Sequence, residues 1–340
     1  MPRLDDTFER KPDLKFLFTG GKGGVGKTIA AAGIAYHFAS RGKRTLVASL
    51  NPVHSMSSVF GQELSGGGIR PVAGVPNLHA IEVETSEVVE RYRENIAKRV
   101  REFLKYSDIP LDARPFIDIA ATNPAFEESA MFDRMIDLML GEGLQYDLVI
   151  FDTAAVANAI RLIGLSKIYG LWLNRMIESR KEALSLRVQL SFRREKVMEE
   201  VRKDPMLADL LDSNERFTKA RALLTDPERT AFLFVTLPLA LPIAVVTRFI
   251  KMVNQYNIPV GGVIVNGIID ESVLAANPNE EYLRNRYLEQ QRYLQQIQSD
   301  LGGLVCAFSP LHSGEVSGIA SVAKVSQDLF TYRPAHWNGV

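Results

Sequence analysis

The segment GKGGVGKT at residues 21–28 constrains the fold of this chain more than any other feature. It fits the pattern G-x-x-x-x-G-K-[ST], in which glycines let backbone N–H groups turn toward phosphate oxygens. A strand-like run at residues 15–19 precedes the segment, and a helical pattern follows it. Because a strand, such a loop and a helix N-terminus together form a phosphate site, these residues are expected to bind a nucleotide: Gly21, Lys22, Gly23, Gly24, Val25, Gly26, Lys27, Thr28 and Ile29.

The expected roles of two residues of this loop and of one distant carboxylate indicate which cofactors the chain binds. Lys27 is expected to reach the β- and γ-phosphates, and the Thr28 hydroxyl to bind Mg²⁺. Asp152 ends an apolar run at residues 148–151, as a Walker B aspartate does, and is expected to hold the same Mg²⁺ through its water. We therefore predict ATP/ADP and Mg²⁺, with Thr28 and Asp152 at the metal. The alternative, a glycine-rich turn without a ligand, is disfavoured by the strand and helix on either side.

Short apolar runs separated by helical patterns predict the fold class. Such runs occupy residues 15–19, 44–48, 148–151, 232–236, 262–265 and 304–307. Fully apolar strands that alternate with helices are typical of a parallel sheet covered on both faces. The expected fold is an α/β, doubly wound, mostly parallel sheet of the P-loop NTPase type.

Two long helical patterns interrupt this alternation, at residues 86–140 and 160–224. The second is interpreted as a helical insertion within one P-loop ATPase domain at 14–340, preceded by an N-terminal tail at 1–13. One passage is ambiguous, because apolar residues alternate with polar ones over residues 184–192, which is the period of a strand. We favour helix there because both flanks have a helical pattern.

Composition excludes several classes of protein. Lys+Arg and Asp+Glu are both 40, so no global charge favours nucleic acid or an anionic membrane. The only cysteine, Cys306, excludes a disulfide framework within one chain. The longest apolar stretch, at 231–246, contains Pro238 and Pro242 and is shorter than the roughly 20 residues of a bilayer span. We expect a cytoplasmic protein that is not an integral membrane protein and does not bind nucleic acid.

A second lysine, Lys22, lies early in the phosphate loop. It marks the deviant Walker A group, whose dimers place this lysine in the site of the other subunit. The alternative is a solvated loop lysine. We predict a homodimer in which Lys22 acts across the interface.

Together these residues resemble the ArsA family, which comprises arsenite-pump ATPases and ATPases that target tail-anchored membrane proteins. GGKGGVGKT is similar to that family's loop, residues 51–55 (NPVHS) to its first switch, D-P-A-H-S, and residues 152–161 to its second switch, D-T-A-P-T-G-H-T-L-R. Pro310-Leu311, with Glu315-Val316, resembles its C-terminal loop. The resemblance implies adenine-side contacts from Asn266, Pro310 and Leu311, and switch residues Pro52, His54, Thr153 and Ala154.

The departures from the family pattern concern hydrolysis. The resemblance implies catalytic roles for Lys22, Lys27 and the first-switch position, where the family's aspartate is Asn51. Asparagine can hold a water molecule but cannot accept its proton at neutral pH. The second switch also differs, with AVAN at residues 155–158 in place of P-T-G-H. We therefore expect an ATPase with slow or altered hydrolysis.

The resemblance covers two kinds of ATPase with different cargoes, and the cysteine content of this chain distinguishes between them. Arsenite-pump members hold arsenic through thiolates, which a single Cys306 in a predicted strand does not supply. Eukaryotic targeting members clamp zinc with a C-x-x-C at the dimer interface. Because the matching stretch at residues 277–297 has no cysteine, no zinc is expected, and nucleotide and packing must hold the dimer.

A cluster of apolar residues in the insertion is a candidate groove for a hydrophobic helix of a membrane protein, and a membrane receptor is a further candidate partner. Ordinary packing onto the core is the alternative. The predicted groove residues are Tyr169, Trp172, Leu173 and Met176.

Other classes of function stay open. An arsenite or anion-transport ATPase subunit is one. A partitioning ATPase acting on DNA or membranes is another, which zero net charge and a C-terminus that is not amphipathic disfavour. A non-hydrolysing module that uses ATP only to close a dimer is the third, and release of γ-phosphate would separate it from the enzymes.

Overall fold

A computed structural model describes residues 3–51, 55–106, 124–153, 174–175, 177–182, 184–186, 204–335 and 337. The chain divides into two compact units. The sheet unit comprises Met1–Glu84, Glu142–Ile160 and Leu224–Val340, and the helical unit comprises Thr85–Gly141 and Arg161–Leu223. The predicted insertion at 160–224 therefore shares a unit with the earlier helical stretch.

Within the described residues, eight strands form one sheet in the order β3-β4-β2-β5-β1-β6-β7-β8. Neighbours are parallel except for the β3–β4 pair. The strands are β1 (Phe16–Gly20), β2 (Thr45–Ser49), β3 (Arg70–Pro71), β4 (Leu78–Glu82), β5 (Leu148–Asp152), β6 (Thr230–Thr236), β7 (Val260–Ile268) and β8 (Val305–Pro310).

The helices of the sheet unit connect and cover these strands. They are α1 (Leu4–Glu9), α2 (Lys27–Ser40), α3 (Ser55–Phe60), α7 (Ala240–Gln255), α8 (Glu271–Ala276), α9 (Glu281–Leu301) and α10 (Ile319–Thr331), with single 3₁₀ turns at Glu142–Gln145 and Gly302–Leu304. Three further helices are α4 (Thr85–Tyr106), α5 (Pro124–Leu140) and α6 (Pro205–Thr225). Residues 174–175, 177–182 and 184–186 are also helical.

Strand alternation gives the sheet two different apolar faces. Leu17, Val47 and Ile150 belong to one core cluster with buried residues of α2 and α10. On the opposite face Phe18 stacks between Phe151 and Phe232, with ring centroids 4.7 and 4.5 Å apart. Because both faces are buried, the strands are continuous apolar runs, which is why the sequence predicted most of them.

The helical unit carries ion pairs between its own helices. Arg216 of α6 contacts two carboxylates of α5, Asp133 at 2.8 Å and Asp137 at 2.6 Å. Asp204 pairs with Arg180 at 2.6 Å and also accepts the backbone N–H of Leu207, which caps the first turn of α6.

The predicted fold class is confirmed, with differences in detail. Strands β3 and β4 were not predicted, because β3 has only two residues and because His79 and Glu82 interrupt the apolar character of β4. The segment assigned to an N-terminal tail contains α1, whose Leu4 and Phe8 are buried. The apolar stretch at 231–246 spans most of β6 and the start of α7. Among the described residues no helix is both long and apolar enough to cross a membrane.

Of the ambiguous passage at 184–192, residues 184–186 are helical and the rest lies outside the described residues.

Candidate nucleotide-binding site

The phosphate loop follows β1 and ends where α2 begins at Lys27. Gly21 has φ +147°, and a Cβ there would lie 2.3 Å from the Val235 carbonyl oxygen. Gly26 has φ +95°, and its Cβ would lie 2.2 Å from the Asn266 side-chain nitrogen. Any other residue at these two positions would strain the backbone and clash. The loop therefore needs glycine where the sequence pattern places it, with Val25 buried beneath it and Ile29 in the first turn of α2.

Lys27 is held inside the loop. Its side chain is 7% exposed, and its Nζ donates to the backbone carbonyl of Lys22 at 3.2 Å. Burial lowers the pKa of the Lys27 ammonium, and the negative charge of Asp152 opposes that shift. An ammonium group with little water around it interacts strongly with an anion that enters the loop. Lys22, by contrast, has an exposed side chain.

Thr28 and Asp152 meet at the carboxyl end of β5. The Thr28 hydroxyl donates to Asp152 Oδ2 at 2.6 Å, and the Thr19 hydroxyl donates to Oδ1 at 3.4 Å. The hydroxyl of Ser55, the first residue of α3, lies 3.5 Å from that of Thr28. Burial raises the pKa of Asp152, and the Thr28 hydrogen bond, the Lys27 charge and the Thr19 hydrogen bond oppose the shift.

These groups fit a magnesium ion beside a nucleotide phosphate. Mg²⁺ prefers hard oxygen ligands and is commonly held by one or two protein groups together with phosphates and waters. The Thr28 hydroxyl and the Asp152 carboxylate are such groups, and they lie beside the Lys27 ammonium. No described residues form a cluster of three or more histidine, cysteine, aspartate or glutamate side chains that would offer a metal site made of protein alone.

The first-switch position begins at the end of β2. The backbone N–H of Leu50 donates to the Asp152 carbonyl at 2.9 Å, and that of Asn51 lies 3.4 Å from the Ser49 hydroxyl. Asn51 is therefore at the same sheet edge as Asp152. Of the second switch, Thr153 is buried and donates from its hydroxyl to the Thr19 carbonyl at 2.9 Å.

The residues predicted on the adenine side lie at the ends of β7 and β8. The Asn266 side chain donates to the Val25 carbonyl at 2.9 Å, so it braces the phosphate loop from the neighbouring strands. Pro310 ends β8, and the backbone N–H of Leu311 donates to the Ile268 carbonyl at 2.7 Å. The Leu311 side chain is 56% exposed. These three residues share the sheet edge that carries the loop.

Some predicted residues lie outside the described part of the chain. They are Pro52, His54, Ala154, Tyr169, Trp172, Leu173 and Met176.

One buried carboxylate at this edge was not predicted. Glu82, the last residue of β4, accepts hydrogen bonds from Met56 and Ser57 of α3. The sequence could have indicated Glu82 only as a glutamate at the end of a strand. That strand, β4, was not recognised because its composition is mixed.

The fold and this geometry together define a P-loop NTPase, because a glycine loop, a buried lysine, a threonine and a strand-end aspartate converge at one sheet edge. The sequence model of the family described as Anion-transporting ATPase matches residues 14–331. The chain belongs to this family, the ArsA ATPases, and the resemblance drawn from its motifs is confirmed.

Relatives of the chain carry ATPase names. It is 31% identical to "ATPase GET3C" of Arabidopsis thaliana, over 91% of this chain and 80% of that protein. It is 25% identical to "ATPase ASNA1 homolog 2" of Paramecium tetraurelia, over 94% of each. Identity to "ATPase ARSA1" of Chlamydomonas reinhardtii is 26%, over 94% of this chain and 43% of that protein.

Proposed function

We propose that this chain is a Mg²⁺-dependent ATPase that works as a slow nucleotide switch and closes as a homodimer. In this proposal nucleotide binding changes the helical unit, which takes up an apolar helix, in the manner of the ATPases that target tail-anchored membrane proteins. The observation that carries the proposal is the Thr28–Asp152 contact at 2.6 Å beside the buried Lys27. The proposed place of action is the cytoplasm.

The nucleotide part follows from the loop. Lys27 would exchange its contact with the Lys22 carbonyl for phosphate oxygens, and the loop N–H groups would surround those oxygens. Thr28 and Asp152 would hold the metal, which when bound neutralises phosphate charge. Asn266 would keep the loop in shape from β7 and contact the base.

The slow hydrolysis follows from Asn51. An amide side chain at the β2 edge can hold a water by hydrogen bonding but cannot remove its proton. A carboxylate there would supply general-base catalysis, which is worth roughly 10²–10⁴-fold. Hydrolysis in this chain would therefore be slower than in a relative with aspartate at that position.

The dimer follows from Lys22. Its side chain is exposed on its own subunit while its backbone carbonyl accepts the hydrogen bond from Lys27. An exposed lysine at the tip of a phosphate loop is suited to contact the phosphates of a second copy related by a two-fold axis.

The apolar cargo is supported by composition and by exposure. The predicted groove residues Tyr169, Trp172, Leu173 and Met176 belong to the helical unit by sequence. Among the described residues of that unit, Leu186 and Leu211 are exposed, at 55% and 44%. Helices that present several apolar side chains are suited to an apolar partner helix.

Arsenite as cargo has less support. Trivalent arsenic needs thiolates, and the chain has a single cysteine. Cys306 is buried in β8, and this burial raises its pKa to about 12. At neutral pH it is a protonated thiol that packs in the core.

A second candidate function is a module that binds ATP without hydrolysing it, and Asn51 is the observation that favours it. One experiment separates the two: binding of Mg-ATP and release of inorganic phosphate are measured in the same sample. The proposal expects both binding and slow release. Binding without release would favour the second candidate, and absence of binding would contradict both.

A further inference from the structure

We propose that Glu82 is a positioning residue that holds α3, the helix that begins at the last residue of the predicted first switch, beside the metal-binding groups of the nucleotide site. The inference rests on the proposed function, because it assigns a role within the Mg-ATP site. It starts from the sheet register. Ser49, the last residue of β2, pairs with Asp152 of β5 on one side and with Glu82 of β4 on the other. Two buried carboxylates therefore end the strands on both sides of β2.

The two carboxylates have different partners. Asp152 accepts from Thr28 at the phosphate loop. Glu82, which is 2% exposed, turns to α3 instead. Its Oε1 accepts the backbone N–H groups of Met56 at 2.6 Å and Ser57 at 2.9 Å, and its Oε2 accepts the Ser57 hydroxyl at 2.5 Å.

These contacts make Glu82 a helix cap supplied from a strand. The first N–H groups of a helix have no partner within it, and an acidic group there is also favoured by the helix dipole. Most helices are capped by the residue that precedes them. Here the cap belongs to β4, so it fixes α3 to the sheet and not merely to its own chain neighbour. Ser57 extends the connection, because its hydroxyl accepts the Leu64 N–H at 3.0 Å.

The consequence for the site is that the described residues before and after positions 52–54 are both fixed to the sheet. Before these positions, the N–H of Leu50 donates to the Asp152 carbonyl at 2.9 Å, and the N–H of Val83 donates to the Ser49 carbonyl at 3.1 Å. After them, Glu82 holds the first turn of α3. Ser55, the first residue of that helix, is thereby kept 3.5 Å from Thr28.

A residue that orients groups around a metal usually tunes metal affinity. Removing the hydrogen-bond partner of a metal ligand typically costs about 10- to 100-fold in metal affinity or activity. Glu82 acts one contact further out, through Ser55 beside Thr28, so the low end of this range is expected. We therefore expect Glu82 to control how strongly Mg²⁺ enhances nucleotide binding, while metal-free binding to the loop stays the same.

The test compares a variant that shortens the Glu82 side chain with one that removes its charge. Glu82→Asp keeps the charge but is one methylene too short for α3. Glu82→Gln keeps the length, one oxygen that can accept both amides, and at the other position an NH2 group that can donate to the Ser57 hydroxyl. Titration calorimetry with a non-hydrolysable ATP analogue, with and without Mg²⁺, measures the gain in affinity from the metal. We expect Glu82→Asp to lose about tenfold of this gain and Glu82→Gln to keep it. Hydrogen exchange of residues 56–60 without nucleotide should be faster in Glu82→Asp only.

Asp204→Glu is the matched control, because Asp204 is also a buried carboxylate that caps a helix, but in the helical unit, and because this variant too keeps the charge and changes the length. It should leave the Mg²⁺ gain unchanged. If Glu82→Asp keeps the full gain, or if Glu82→Gln loses as much as Glu82→Asp, the positioning role is wrong.

If Glu82→Asp does not fold, Ser57→Ala removes the Oε2 contact from the side of α3 and should lower the Mg²⁺ gain in the same direction. An unchanged gain in Ser57→Ala would then overturn the inference. Failure of the unmodified protein to bind the analogue at all would contradict the proposed function itself, and the inference with it.

Discussion

The Thr28 hydroxyl donates a 2.6 Å hydrogen bond to Asp152, and this bond joins the helix that follows the phosphate loop to the end of the neighbouring strand β5. The two residues are distant in sequence, and the parallel pairing of β1 with β5 brings them together. Both groups are buried or partly buried, and the Lys27 ammonium lies close enough to influence the Asp152 pKa.

Lys27→Ala should weaken ATP binding. The substitution removes the buried cation that faces the phosphates, and a charge-assisted hydrogen bond contributes roughly 1.5–3 kcal/mol. The dissociation constant measured by calorimetry should rise by about ten- to a hundredfold. Lys43→Ala, which removes an exposed lysine after α2, is the control and should bind as the unmodified chain does. Equal affinity in both variants would mean that the loop is not the phosphate site.

Asp152→Asn should abolish the gain in nucleotide affinity from Mg²⁺. It should also change how the free energy of unfolding depends on pH. Burial raises the pKa of Asp152 above its ordinary value of 3.8, so the folded chain holds that proton more tightly than the unfolded chain does. The stability that this proton contributes is present below 3.8 and is lost as the pH rises through the folded pKa. As the pH rises above about 4, the melting temperature of Asp152→Asn should therefore increase relative to that of the unmodified chain.

Asp147→Asn provides the control of opposite sign. The backbone N–H of Arg44 holds the pKa of Asp147 below its ordinary value. The stability that the Asp147 carboxylate contributes is present above pH 3.8 and is lost as the pH falls through the folded pKa. The melting temperature of Asp147→Asn should therefore fall relative to that of the unmodified chain as the pH rises. If both variants show the same trend, the buried environment assigned to Asp152 is wrong.

The ATP-bound chain should form a two-fold dimer that depends on Lys22. Light scattering should give twice the monomer mass with a non-hydrolysable ATP analogue and Mg²⁺, and a lower mean mass without them. A ligand that binds only the dimer shifts the monomer–dimer equilibrium toward the dimer. Lys22→Ala should bind nucleotide but dimerise more weakly, and Lys43→Ala should behave as the unmodified chain. A monomer under every condition would contradict the prediction.

Trp172→Glu should abolish capture of an apolar helix, because a charge in an apolar groove must be desolvated when the helix binds. Nucleotide binding and dimer formation should remain. Leu144→Glu is the control, since Leu144 is an exposed leucine, at 54%, in the sheet unit. Capture is measured by co-purification with a hydrophobic peptide, and folding by circular dichroism. An unfolded Trp172→Glu variant would mean that Trp172 packs in the core.

Much of the fold was predictable because buried parallel strands are continuous apolar runs, as in β1, β5 and β6. Strand β4 was missed since its pattern mixes apolar residues with His79 and Glu82. Strand β7 is longer than predicted because it continues past Asn266, a polar residue that ended the apolar pattern.

In the candidate site, too, some features could be predicted from the sequence and others could not. The loop residues are contiguous, so their pattern predicts the local geometry, including glycine at positions 21 and 26. Glu82 acts through the register of β2 against β4, and register is a property of the folded sheet that no short motif contains. The contact of Asn266 with Val25 is likewise a tertiary contact, whereas its predicted role at the adenine stays a prediction.

Single-turnover hydrolysis of ATP by the unmodified chain and by Asn51→Asp tests most directly the claim that this protein is a slow nucleotide switch. A carboxylate at position 51 would restore a general base near the attacking water, for which gains of roughly 10²–10⁴-fold are known. We expect Asn51→Asp to be faster by less than this range, because the second switch has also diverged. Its affinity for ATP should fall slightly, since a new negative charge would lie near the γ-phosphate. If the unmodified chain hydrolyses ATP at least as fast as Asn51→Asp does, another group activates the water and the account of Asn51 is contradicted.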